Sequence, residues 1–288
     1  MKQYLFAAAA ALALACATGA QADVVTSNNP APGDSYSNAG PTNQGQAVGA
    51  SGWYYNNVRN SGEVGISTDN PHLGNGSVAF YAPTNGKADI EFLAGGADVG
   101  GVYYATGSLG TLADFEGFSY DWYRDASSTV ASHLHPSFRI ILDADGNLGT
   151  TGDRGGIVFE RVYNGVSTPT NQWVTDTFSN TTKLWNFGLG LGLEYNIDGV
   201  GSQYDPLSAW QAGLPNATIL GFSMGVGSGW TGEFTGYVDN VSWTIDGQTS
   251  SYNFEVAAVP EPSAWALMIL GFGAAGAMLR RRTSPAIA

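Results

Sequence analysis

Short stretches in which apolar and polar side chains alternate, each closed by Gly, Asn, Asp or Ser, recur through the middle of the chain. In "ADIEFL", Ile90 and Phe92 point one way and Asp89 and Glu91 the other. In "GFSYDWYR", Phe118, Tyr120 and Trp122 share a face opposite Ser119, Asp121 and Tyr123. "SFRIIL", "IVFERVY", "QWVTDTF", "TILGFSMGV" and "GYVDNVSWTI" read the same way. A period of two belongs to a half-buried strand, and the residues between the runs favour tight turns. Many short strands with almost no helix imply an all-β, sandwich-type domain. One short helix is expected after Asp205, with Asp205 as its cap, Pro206 in its first position and Gly213 and Pro215 ending it.

Composition agrees with this. The chain has 288 residues, 43% hydrophobic and 12% aromatic, which is enough for one large core. Its 40 glycines suit turns. Seven basic and 23 acidic residues lie between Asp23 and Val259, leaving that stretch at −16. Such a surface repels nucleic acid and anionic lipid, so no nucleic-acid partner is expected. Within the body, "GNGSVAFYAP" and "YVDNVSWTIDG" resemble the flanking strands of galactose-binding-like jelly-roll modules. The expectation is therefore a jelly-roll-type β-sandwich over residues 51–256. A loose polar arm at residues 23–50, beginning "DVVTSNNPAPGDSYSNAGPTNQGQ", would precede it.

Both ends carry processing signals. Lys2, an apolar run from Leu5 to Ala15 and the small-x-small site Ala20-Gln21-Ala22 make residues 1–22 a secretory signal peptide, with the mature chain starting near Asp23. Cys16 is the sole cysteine and lies inside that segment, so no disulfide is expected. "ALAC" also resembles a lipoprotein signal, but Ala13 stands where such signals usually carry Leu. At the other end, Pro260 and Pro262 bracket Glu261 and hold the backbone extended. The uncharged stretch Ala264 to Leu279 comes next, then Arg280, Arg281 and Arg282. A marginal transmembrane helix with its arginines on the cytoplasmic side is expected.

The order of these parts resembles the PEP-CTERM sorting signal, and Trp265 and Ala266 in "PEPSAWA" match its PEPxxWA variant. The resemblance spans residues 259–283. It implies recognition of Pro260, Glu261 and Pro262 by an exosortase, an integral-membrane cysteine protease. It also implies a Gram-negative producer, often one that makes exopolysaccharide. Its implied localisation is export, with the chain transiently held at the inner membrane by the C-terminal helix, then released to the cell surface or the extracellular matrix.

Signs of chemistry are sparse. Asp89 and Glu91, and Asp143 and Asp145, have the spacing of paired carboxylates on a strand, which glycoside hydrolysis requires. No Glu-x-Asp-x-x-Glu signature of laminarinase-like enzymes is present, and Asp89 and Glu91 read as a solvated strand face. There is no Gly-x-Ser-x-Gly. His133 and His135 lack a third metal ligand and read as a solvated loop. In "DADGNLGTTGD", Asp143, Asp145 and Asn147 place oxygens at alternate positions and Asp153 returns later, a candidate calcium loop. It departs from an EF-hand, since Gly146 is fourth and Arg154 twelfth; a hairpin loop bonding its own backbone is the alternative. Trp53 in "SGWYYNN" and Trp230 in "GSGWTGEF" sit among turn residues and are candidate carbohydrate-stacking side chains. The reading is a non-catalytic, exported surface or matrix protein. A carbohydrate-binding module for exopolysaccharide is the alternative, and a secreted glycosidase comes after that. No cofactor other than calcium is implied.

Overall fold

The computed structural model describes residues 22–258 and 262–282. The signal-peptide residues up to Gln21, with Lys2 and Cys16, and the sorting residues Pro260 and Glu261 lie outside the described residues.

Two curled sheets pack face to face as a jelly-roll-type β-sandwich. The front sheet has nine strands. In spatial order eight of them are Asp205–Pro206, Lys183–Gly188, Arg154–Phe159, Ser137–Asp143, Thr218–Val226, Lys87–Leu93, Trp53–Arg59 and Gln44–Ala47, and Gly110–Thr111 pairs with Thr218–Val226. The back sheet runs Asp23–Pro30, Gln248–Ala257, Phe234–Ile245, Ser77–Ala82, Gly62–Ser67 and Tyr36–Asn38. Phe115–Arg124 lies along the other edge of Phe234–Ile245 and is followed by Trp173–Thr177. A two-stranded ribbon, Ala97–Asp98 with Tyr103–Tyr104, overhangs the front sheet.

The sandwich closes on aromatic rings. Phe118 and Tyr120, from the alternating face of "GFSYDWYR", meet Phe138 of the front sheet at 3.8 and 6.0 Å. Trp243 of the back sheet lies 4.7 Å from Phe222 of the front sheet. Trp53 is fully buried and packs edge-on against Phe254 at 4.9 Å. Each such ring removes a large apolar surface from water, and offset or edge-on contacts add to that gain.

Four local expectations differ from what is found. Residues 23–50 are no loose arm: they form three strands, Asp23–Pro30, Tyr36–Asn38 and Gln44–Ala47. The first runs parallel to Gln248–Ala257, from the far end of the body, and buries Val25 and Ser27. "IVFERVY" is strand only to Phe159; Arg161–Asn164 is a 3₁₀ turn closed by Gly165 at φ 67°. The short helix is Leu207–Gly213, but Pro206 stands at its cap, and the Asp205 carboxylate instead accepts the Ile197 N–H at 2.7 Å. His135 is not on a solvated loop. It is buried against Trp122, and burial together with the Arg161 charge holds its imidazole down to about 3.

Candidate functional site

Antiparallel register, not sequence proximity, assembles a large groove on the front sheet. On the outer face of the front sheet, Trp185 pairs across to Val158, Val158 to Arg139, Arg139 to Ser223, Ser223 to Glu91, and Glu91 to Tyr54. Directly opposed residues in a ladder point to the same face, so these six form one row across five neighbouring pairings. The next row on one side is Phe187, Gly156, Ile141, Gly221 and Leu93. On the other side lie Ser137, Gly225, Asp89 and Asn56. An open cavity of about 770 Å³ runs along these rows, walled by Tyr103 and Tyr104, by Phe187 and Leu193, and by Trp230. That is the size of a small-ligand site.

The floor is polar and tightly bonded. Asp89 is 1% and Glu91 4% exposed, so they are not the solvated face that the alternation suggested. Asp89 pairs with Lys87 at 2.6 Å and with Arg139 at 2.9 Å. Arg139 also donates to the Ser223 hydroxyl at 3.2 Å. Glu91 accepts from the Asn56 amide at 2.7 Å and from the Asn57 amide at 2.8 Å, and Asn57 reaches Asp89 at 3.2 Å. Asn57 is turned into the groove by a register shift in Trp53–Arg59, where its φ is 53°. A bulge commonly re-aims a side chain in this way. Tandem asparagines inside the strand "WYYNNVR" are the signal that points to it, because Asn is depleted from regular strands.

Burial among these charges shifts their titration. The Glu91 carboxyl is held up to about 7, first by burial and then by the neighbouring Asp89 charge. Lys87 is held down to about 8 by burial and by Arg139. Glu160, on the groove wall, is raised by burial.

The tryptophan candidates fare differently from expectation. Trp53 points into the core and cannot stack on a ligand. Trp230 is only 9% exposed and packs on Phe234, with one side forming part of the groove wall. The aromatic side chains that reach the open space are Trp185, Phe187, Tyr103 and Tyr104. The acidic loop brings Asp143, Asp145 and Asp153 together, with one oxygen from each within 4.8 Å of the others. The Asn147 amide oxygen accepts the Gly149 N–H at 3.1 Å.

The tail is a helix, Pro262–Arg282, with Trp265 and Ala266 among its exposed side chains. Residues 258–282 match the family model of the PEP-CTERM protein-sorting motif. The chain carries a PEP-CTERM sorting signal. The PEP-CTERM helix departs from expectation in one respect: among the described residues no helix is long and apolar enough to cross a membrane. Its uncharged stretch from Ala264 to Leu279 extends about 24 Å, against roughly 30 Å of bilayer core. Gly271, Gly273, Gly276 and several alanines dilute its apolarity further.

No curated protein matches the chain. Solved structures with a similar chain course include one from work on promiscuous specificity in carbohydrate-binding modules of the β-sandwich superfamily, at 14% identity and TM-score 0.31, covering 76% of this chain and 63% of that one. The family 11 carbohydrate-binding module of the cellulosomal cellulase Lic26A-Cel5E of Clostridium thermocellum is 11% identical, with 70% and 86% coverage and TM-score 0.34. The cellulose induced protein Cip1 is 15% identical, with 69% and 88% coverage and TM-score 0.33. The chain spans less than two thirds of the first of these.

Proposed function

We propose that this exported, exosortase-processed protein binds a neutral glycan along the front-sheet groove without turning it over. The observation that supports this best is the cross-strand row from Trp185 to Tyr54. It leads from the Trp185 ring across a floor made of Arg139, Ser223 and Glu91 to Tyr54, on which the groove-lining ring of Tyr103 stacks at 4.4 Å. A sugar presents the complementary pattern, with apolar C–H faces for the rings and hydroxyls that both donate and accept. Lys87 and Arg139 balance Asp89 and Glu91 on the floor, and the body's net charge of −16 disfavours polyanionic glycans. The groove is open, which suits a segment of polymer such as an exopolysaccharide.

Titration calorimetry of the full chain against neutral oligosaccharides tests this. Trp185→Ala is expected to weaken binding at least tenfold while leaving the melting temperature within a few degrees, because Trp185 is only partly buried. Unchanged affinity in that variant would remove the groove from consideration.

One observation favours hydrolysis as a second reading. Glu91, held up to about 7, lies beside Asp89, which is paired with two cations. Such a pair can act as proton donor and charged partner across a glycosidic bond. New reducing ends released from a bound glycan, and lost in Glu91→Gln, would establish turnover.

A further inference from the structure

We propose that the loop joining Ser137–Asp143 to Arg154–Phe159 holds a calcium ion on Asp143, Asp145 and Asp153. One carboxylate oxygen from each lies within 4.8 Å of the other two. That spacing fits a single ion with oxygen ligands at roughly 2.3–2.6 Å, whose ligands lie no farther apart than about 5 Å. Acidic residues alone would not carry the assignment, because exposed carboxylates gather on many surfaces.

The second observation is Asp143 itself. Its side chain is fully buried, at 0% exposure, at the end of its strand. Arg154 Nε reaches only one of its oxygens, Oδ2, at 3.3 Å, and Oδ1 has no hydrogen-bond partner. A buried carboxylate oxygen left without a donor is costly, and such atoms in folded proteins call for a partner. A cation at the cluster supplies what Oδ1 lacks.

The donor set specifies the kind of ion. All three ligands are carboxylates, and neither His nor Cys joins the group, a donor set that suits a hard, oxygen-preferring cation rather than zinc. Three carboxylates against the single guanidinium of Arg154 leave two negative charges, matching a divalent ion. Calcium tolerates irregular sets completed by water or backbone carbonyls, whereas magnesium demands near-octahedral geometry. The loop is already braced for this: Asp145 N–H donates to Asp153 Oδ2 at 3.0 Å, and Asn147 N–H to Asp145 Oδ1 at 2.7 Å. Arg154 also donates to the Leu148 carbonyl at 3.0 Å, and both Arg154 and Thr151 line the groove. An ion on the loop would therefore order one end of the groove.

The test uses the purified full-length chain, stripped of metal by chelator and returned to constant ionic strength. Calcium chloride is titrated by calorimetry, and melting is followed with calcium, magnesium or sodium. We expect one equivalent of calcium to bind with an extracellular-type dissociation constant, about 10⁻⁴ to 10⁻³ M. Saturation should raise the midpoint by about 5 °C or more, and magnesium should raise it less. The double variant Asp145→Asn, Asp153→Asn leaves buried Asp143 and its Arg154 partner in place. It should lose calcium affinity at least tenfold and lose the midpoint shift. No calcium-dependent shift in the wild-type chain would overturn the proposal. So would an equal shift in the double variant, or an equal shift with sodium, which would signal screening of an acidic surface. None of these outcomes depends on whether the groove binds a glycan.

Discussion

Glu91 lies on the groove floor with its carboxyl held up to about 7, and Asp239, in the back sheet, is raised to the same region by burial. A carboxyl whose folded pKa exceeds its unfolded one keeps a proton that the unfolded chain has already lost. Stability from such a group therefore falls as pH rises from about 4.5 to about 7. His135 works in the opposite sense. Held down to about 3, it stays neutral in the fold while the unfolded imidazole protonates below about 6.5, so its contribution rises with pH over that interval. The wild-type curve mixes these effects, but the difference between wild type and Glu91→Gln isolates one of them. Unfolding by urea at pH 5 and pH 7.5 should show Glu91→Gln gaining relative to wild type at the higher pH, by about 2–3 kcal/mol. Lys87, held down to about 8, begins to lose its proton only near the top of that window. Trp53 offers a second residue-scale prediction. Fully buried against Phe92, Trp243 and Phe254, it should cost about 3–5 kcal/mol when replaced by Ala, measured by the same unfolding. Glycan binding by the fraction that stays folded should be unchanged.

Among the elements, the strand Asp23–Pro30 separates the polar-arm reading from the observed fold. Its sequence, "DVVTSNNP", offers only Val25 and Ser27 to the core, too short an alternation to register as a strand. What holds it is long-range. It pairs in parallel with Gln248–Ala257, and the Asp34 carboxylate just beyond it gathers the N–H groups of Asn28 and Asn29 and the Tyr55 hydroxyl at 2.7–2.9 Å. Deleting residues 23–30 strips Gln248–Ala257 of its parallel partner, removes buried Val25 and leaves the Asp34 carboxylate short of donors. We expect the melting midpoint to fall by about 10 °C, on roughly 3 kcal/mol of lost burial and pairing. A loose arm would leave it unmoved. The helix Leu207–Gly213 is a milder case of the same kind. Pro206 and the residues after it marked its start, but Asp205 met the Ile197 N–H instead of capping.

For the whole molecule, destination and body are separable. The PEP-CTERM signal occupies residues 258–282, and the described strands end at Ala257. Replacing Pro260, Glu261 and Pro262 together by Ala should abolish the processing step in the native host, seen as retention of the longer form in membrane fractions. The fold of the body should be unaffected, since all three follow Ala257, where the last described strand ends. If the altered chain is still shortened and released, the motif does not direct its processing.

The sequence alone was sufficient for whatever is written in local pattern. Period-two alternation marked the central strands because each strand's faces are set by neighbouring residues two apart. The tail was legible because its parts succeed one another along the chain, with Pro-Glu-Pro, the apolar stretch and the arginines all within residues 259–283. The acidic loop could likewise be named as a cluster in advance, being one segment. Register escaped a local reading. Whether Asp89 and Glu91 faced water or lined a groove depended on Arg139, Ser223 and Trp185, which lie from about 50 to more than 130 residues away in the chain. Trp53 and Trp185 differ little as residues in sequence, yet one packs between the sheets and the other stands on the outer face. That choice rests on strand parity and on what the partner strand places opposite, and only the folded sheet supplies both.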